Sequence, residues 1–536
     1  MHQQHPSPFN ADELVKFLRN HGFGVEFAAR NFNDIVAGIT LEEISTFSPE
    51  MLCHLDIRLR QVTEIDKPFG GLIVLMVGDF GQLGPVEACA IPNAVVNFFE
   101  YMSNRNKSTF IRDEMAKQNR NKNRKKNNPP GKASRAKRSL PFVTKEFKNK
   151  YNEGHPYRKG IDLITSAKLF HLTAQKRAQD PVHRHHIESM FRGEKLTFQM
   201  FNHYEELKAV DIHKGSDFCD AAILCSINRE HHTINSIIAP IRASAKGVCV
   251  IRWNADLKPY WDQKPSDKYI SDIIDSDPCF WEYFVPGTDG YLTDNLCKPL
   301  KLVNGTPIRY HSLSFDSAEK DVEFQKLVAN AKVGQVLSLP VHLQPEAIHV
   351  ELIDLSDKSQ QKWLQSNLSL LPDKIVIPLP CKRKFAKMPQ PIIVPGSPNG
   401  KYKCSKVRVK NFFPVEPGFA ITIYKAQGRT ISKVILAISE RQGNGCGLNY
   451  RSIYVAFSRV KHKHDIRLLL FDDNGSRESL TYLTKLKADP CNLAFVEGFD
   501  TNGGEFDGNR VLSKHVQLTG KPKSYSVPGS NKRKRN

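Results

Sequence analysis

Along most of the chain, short apolar runs alternate with stretches in which apolar residues recur every three or four positions, the period-2 and period-3.6 signatures of strands and helices. The run Leu72-Ile73-Val74-Leu75-Met76-Val77 is continuously apolar, follows Gly70-Gly71 and stops at Gly78-Asp79. It predicts a strand buried on both faces, as in a parallel sheet. Upstream, Ser48-Pro49-Glu50 supplies a hydroxyl for an N-cap, a proline suited to the first helical position and a carboxylate for the positive end of the helix dipole. Leu52, Leu55, Leu59 and Val62 follow at spacings of three, four and three, which is one buried stripe of a helix. Farther on, Gln335-Val336-Leu337-Ser338-Leu339 and Lys374-Ile375-Val376-Ile377-Pro378-Leu379 suit short strands. Strands alternating with helices imply an α/β architecture with parallel sheets. No segment recurs at solenoid or propeller spacing.

The chain has 536 residues, of which 40% are hydrophobic, enough for real cores in about two to four domains. Its 77 Lys plus Arg against 56 Asp plus Glu leave a net charge of +21, which points to a polyanionic partner such as nucleic acid. The charge is concentrated: between Asn104 and Lys150 there are 16 Lys or Arg against Asp113, Glu114 and Glu146. With no apolar period, that stretch is expected to be a disordered insertion, either a solvated spacer or a grip on nucleic acid. A second basic stretch closes the chain, and its Lys532-Arg533-Lys534-Arg535 cluster has the composition of a nuclear address. Eleven cysteines occur singly, none as C-x-x-C, so neither a zinc ribbon nor a paired disulfide framework is suggested. The longest clean apolar run is six residues, and neither a membrane span nor a secretory leader is expected.

Two places carry candidate chemistry. In ITLEEISTFSPEMLCHLDIRLRQV the adjacent Glu42 and Glu43 follow a short apolar stretch. At the end of a strand in an open α/β sheet, two carboxylates can divide the work of an NTPase, one holding Mg2+ and the other positioning the attacking water. The bland alternative is a solvated acidic loop complementing the next helix. In FGGLIVLMVGDFGQLGPVEA the next strand delivers Asp79 and Gln82 to its C-terminal end.

Together these two segments resemble motifs II and III of superfamily-one, RecD-like DNA helicases of the petite-integration-frequency (Pif) type and their Helitron relatives. PGFAITIYKAQGRTISKVIL resembles motif V and LNYRSIYVAFSRVK motif VI, while FHLTAQKRAQD, AAILCSINREHHTIN and LVNGTPIRYHSLSF echo the segments between. The resemblance implies Glu42 at the Mg2+-binding carboxylate and Glu43 at the carboxylate that activates water. It places Asp79 and Gln82 in motif III, with Gln82 sensing the γ-phosphate, and Gln427 with them at the nucleotide. Arg177 and Arg459 match arginines that reach the γ-phosphate, with Arg459 acting on rate rather than on folding. Thr422, Lys425 and Thr430 fall in motif V, facing DNA phosphates. ATP and Mg2+ are the implied cofactors, single-stranded and forked DNA the implied partners, and 5′-to-3′ translocation in repair, recombination or telomere maintenance the implied activity.

Some positions depart from the family pattern. Glu42-Glu43 replaces Asp-Glu, Tyr424 stands where histidine is usual, and motif III reads QLGPV rather than QLPPV. The glycine-rich loop ending in Gly-Lys-Ser/Thr is missing: Gly131-Lys132, Gly400-Lys401 and Gly520-Lys521 are followed by Ala, Tyr and Pro. The resulting expectation is two RecA-like P-loop NTPase-type α/β domains, the first incomplete at its N-terminus, with a small β-rich insertion in the second. The boundaries are 1–103 for the first domain, 104–155 for the basic insertion, 156–315 and 410–475 for the second domain, 316–409 for its insertion and 476–536 for a polar basic tail. A catalytically inactive nucleic-acid-binding remnant, or an incomplete gene model, is the rival. His183, His185 and His186 beside Glu188 could be offered as metal ligands, but the stretch fits the amphipathic helix after motif IV and is read as exposed.

Overall fold

The computed structural model describes residues 38–85, 88–105, 149–170, 172, 175–213, 215–254, 256–259, 278–353, 355, 358–393, 403–438, 448–470, 477–499 and 505–520. The residues before the Glu42 strand, most of the basic insertion and the Lys532-to-Arg535 cluster lie outside these. The fold is mixed α/β with parallel sheets, as the sequence pattern implies. It divides into two compact units.

The first unit contains the described residues up to Gln175, Glu188–Lys195 and those from Lys487 onward. Strand β1 (Gly38–Leu41) pairs in parallel with β2 (Ile73–Met76), from Gly38 opposite Ile73 to Leu41 opposite Met76. Between them runs α1 (Pro49–Thr63), whose N-cap Ser48 accepts the Met51 N–H at 3.3 Å. Leu52, Leu55 and Leu59 are fully buried and Val62 packs at the edge of the same core. Two more helices, α2 (Ile91–Arg105) and α3 (Pro156–Thr165), share that core through Val95, Phe98, Tyr157 and Ile161. Helix α3 approaches α1 so closely that a Cβ on Gly160 would lie 1.8 Å from the Pro49 carbonyl oxygen.

Two sequence expectations need correction here. Strand β2 is buried on one face only: Val74 and Met76 pack on the core, whereas Ile73 is 72% and Leu75 54% exposed. Apolar composition records a preference for cover, not its presence, and the only strand hydrogen-bonded to β2 among the described residues is β1. The region after 476 is not simply a polar tail. Its helices Pro490–Glu497 and Gly508–Thr519 pack on α2, with Val96, Cys491, Ala494 and Val511 in one cluster and the buried His515 Nδ1 3.3 Å from Glu100 Oε1.

The second unit is built on a five-stranded, all-parallel sheet. Its strands are β3 (Glu205–Glu206), β4 (Ala222–Cys225), β5 (Ala420–Thr422), β6 (Val434–Leu436) and β7 (Ile466–Leu468), in the order β5-β4-β6-β7-β3. Here β5 and β6 are covered, since Ala420, Ile421 and all of β6 have no exposure. Helix α4 (Pro181–Phe191) begins in this unit, and α5 (Asn228–Lys246) follows β4. A β-rich body with its own core of Trp253, Phe284, Tyr310 and Phe413 occupies the stretch between β4 and β5. It includes the expected strands as Val336–Ser338 and Val376–Pro380. It also extends beyond 316–409: strands Asp289–Leu292, Pro307–Ser314 and Val415–Pro417 belong to the same five-stranded sheet as Ala347–Leu352. Pairing across long sequence separations joins them, and local composition carries no mark of it.

Candidate nucleotide and nucleic-acid site

In the first unit, pairing continues past the strand ends. The Val77 N–H donates to Leu41 O at 2.8 Å and the Ile44 N–H to Val77 O at 3.0 Å, so Glu42-Glu43 and Gly78-Asp79 leave the sheet side by side. Gly78 is required there, because a Cβ would lie 2.8 Å from Ile44 N. Glu42 is exposed and Glu43 half-buried. Glu43 has φ 53° and ψ 43°, a left-handed conformation that costs a non-glycine residue roughly 1–2 kcal/mol. The Thr46 N–H and hydroxyl both donate to its carbonyl, at 2.9 and 2.8 Å, and hold it there. Strain maintained in this way is a feature of functional sites.

Asp79 folds its own loop: Oδ1 accepts the Gly81 N–H at 2.8 Å and Oδ2 lies 3.4 Å from Gln82 Nε2. Asn492 Nδ2 donates to Phe80 O at 2.6 Å and fixes the turn from outside. Gln82 Oε1 is buried without a hydrogen-bond partner among the described residues, so the site contains an acceptor that a bound water could satisfy. Mg2+ in phosphoryl-transfer sites is held by one or two carboxylates together with substrate phosphates and water, and Glu42 and Glu43 fit that demand. No group of three or more His, Cys, Asp or Glu able to hold a metal by itself occurs among the described residues.

The second unit brings together residues from motifs IV, V and VI. Arg177 Nε donates to Thr430 Oγ1 at 2.9 Å and its Nη1 to Ser458 O at 3.0 Å. Arg459 Nη2 donates to the Ser458 hydroxyl at 2.6 Å, Nε to Val455 O at 2.9 Å, and Nη1 reaches the carbonyls of Ala426 and Arg429 at 3.5 and 3.4 Å. Ser458 therefore links the two arginines. The sequence reading missed it because only its place beside Arg459 could have signalled it. Arg459 is buried and clamps helix α6 (Ile423–Ala426) and the turn after it to α7 (Tyr450–Phe457). Thr422 is the buried N-cap residue of α6 and Gln427 its half-buried C-cap. Lys425, on α6, is engaged by Glu416, another residue that the motif pattern did not single out.

The histidine reading is also corrected. His183 and His186 are buried, not exposed, and each Nδ1 lies 3.0 Å from the Tyr204 hydroxyl. One hydroxyl can donate to only one of them, so the other donates its own N–H to the oxygen. Burial pushes both imidazoles down to about 4, which keeps them neutral.

Residues 28–132 match a family model described as PIF1-like helicase. Over that segment the chain is similar to this family. The matched span contains Glu42, Glu43, Asp79 and Gln82, the residues that the parallel β1–β2 pair sets side by side. A comparison with curated proteins gives no match. Among solved structures, the chain is similar to the pair of coordinating Pif1 helicases at forked double-stranded DNA, at 15% identity and a TM-score of 0.41, covering 86% of this chain and 79% of that one. It is also similar to Pif1 from Candida albicans, with 14% identity, a TM-score of 0.40 and coverage of 88% and 81%. Pif1 from Bacteroides with ADP-AlF3 and single-stranded DNA gives 16%, 0.42, 85% and 78%. With identities this low, the functional reading rests on the PIF1-like match and the site's own residues.

Proposed function

We propose that the chain is a PIF1-like DNA helicase that uses ATP and Mg2+ to move 5′-to-3′ along a single strand. The observation that carries this reading is the pair of parallel strands inside the matched span, whose ends deliver Glu42-Glu43 and Asp79 to one place. Glu42 would hold Mg2+, Glu43 would position the attacking water, and Gln82 would follow the γ-phosphate. Arg177, Arg459 and Gln427 would serve the nucleotide, and Thr422, Lys425 and Thr430 would face DNA phosphates. The basic C-terminal cluster supports work in the nucleus, and the resemblance to Pif-type helicases supports repair, recombination or telomere maintenance.

A second reading is favoured by one sequence observation. No Gly-Lys pair in the chain is followed by Ser or Thr, so the usual cradle for the phosphates is missing. On this reading the 536 residues bind DNA without turning over ATP. Fluorescence anisotropy with a labelled single strand and a DNA-stimulated ATPase assay test both. Binding that weakens with salt is expected, and binding that is absent or flat with salt removes the helicase reading. Turnover of several per second, abolished by Glu43→Gln, would eliminate the inactive alternative.

A further inference from the structure

Lys425, the cation assigned to DNA phosphate, is already engaged. Its Nζ meets a carboxylate oxygen of Glu416, with side-chain exposures of 29% and 15%. Glu416 lies in the strand Val415–Pro417, opposite Tyr291, and the chain leading from it to β5 is held by helix α5. Asn235 Oδ1 accepts the Ala420 N–H at 2.7 Å, and its Nδ2 donates to Pro417 O at 3.3 Å. This fixes the orientation of the amide. The same Nδ2 lies 3.0 Å from His231 Nε2, so that nitrogen is the acceptor and the imidazole is neutral. Burial, reinforced by the Lys425 charge, pushes His231 down to about 4. With His231 Nε2 3.8 Å from Glu416 and uncharged, Lys425 supplies the positive charge for that carboxylate.

A carboxylate and a phosphodiester offer an ammonium the same thing, anionic oxygens at hydrogen-bond distance, and lysine answers both as a point charge. We propose that Glu416 is an internal stand-in for a DNA phosphate, which occupies Lys425 until a strand displaces it and thereby sets the affinity for single-stranded DNA. This rests on the reading of Lys425 as a phosphate contact. Displacement leaves a half-buried carboxylate without its partner, and that cost is subtracted from what Lys425 gives the DNA. The Glu416 segment is held by the buried Asn235 and His231, so it does not follow Lys425 outward. The pair opens rather than moving as one.

The test is anisotropy with labelled oligothymidylate on the full chain and on Glu416→Gln, Glu416→Asp, Lys425→Ala and the Glu416→Gln/Lys425→Ala double variant. Thermal melts confirm folding. Glu416→Gln is expected to bind roughly tenfold tighter, with the slope of log K against log salt little changed because Lys425 meets the same phosphate in both, whereas Lys425→Ala should make that slope shallower by about 0.7. Glu416→Asp keeps the charge and should remain near the parent, and the gain should vanish in the double variant. If the parent binds and Glu416→Gln binds equally or less well, Glu416 holds Lys425 in position for DNA or does nothing, and the stand-in is overturned alone. If the parent does not bind at low salt, the DNA reading and the stand-in fall together.

Discussion

Each nitrogen of the Arg459 guanidinium donates to protein: three backbone carbonyls and one hydroxyl accept from it. Truncation therefore strands buried acceptors and unclamps α6 from α7. Arg459→Ala should lower unfolding free energy by about 2–4 kcal/mol, read from urea denaturation, whereas the more accessible Arg177→Ala should cost about 1 kcal/mol or less. A purely catalytic role would leave stability unchanged. The imidazoles on Tyr204 predict a pH effect of definite sign. The unfolded chain takes up protons near 6.5, while the folded chain keeps both rings neutral to about 4, so stability is full above the upper value and falls as pH drops between the two. Each site can contribute about 1.4 kcal/mol per pH unit in that window. Urea midpoints at pH 7 and pH 5 should differ in the parent and differ less in His186→Phe.

At the level of elements, the packing of α1 on α3 is set by one missing side chain. Gly160→Ala would normally raise helix propensity by about 1 kcal/mol. Here the added carbon meets backbone at 1.8 Å, so a net loss of about 1–3 kcal/mol is expected. Gly154→Ala, with open space around it, is the control in the same denaturation series. The α1 boundary was legible because capping is local: Ser48, Pro49 and the leucine stripe each declare themselves within a few residues. The same is true of Val336–Ser338 and Val376–Pro380. Glu42, Glu43 and Asp79 could be placed just past strand ends, and the structure has them there. Burial of His183 and His186 was not legible, since their spacing of three puts them on one helical face without saying that Tyr204 covers it. The helices after residue 489 were missed for the same reason. Val511 and His515 are buried by α2, which lies far upstream in the chain.

For the whole molecule, the electrostatic prediction concerns the basic insertion. Removing residues 106–148 should make the salt dependence of single-strand binding shallower by about 0.7 for every phosphate that the stretch neutralises. An unchanged slope in anisotropy titrations would make that stretch a spacer. The insertion and the site are separate questions physically, because long-range charge raises encounter rate and affinity for any polyanion, whereas Arg177, Ser458 and Arg459 are arranged by short, directional hydrogen bonds.

The open face of β2 affects how the protein behaves in a tube. Ile73, Leu75 and Val77, the last 40% exposed, form an oily ridge along a two-stranded sheet. Such surfaces gather environment-sensitive dyes, adsorb to plastic and draw chains together as concentration rises. Purified chain should light up 8-anilinonaphthalene-1-sulfonate while its far-ultraviolet circular dichroism stays native. A Leu75→Lys exchange should quench that glow and raise the concentration at which light scattering begins, with little change in melting temperature.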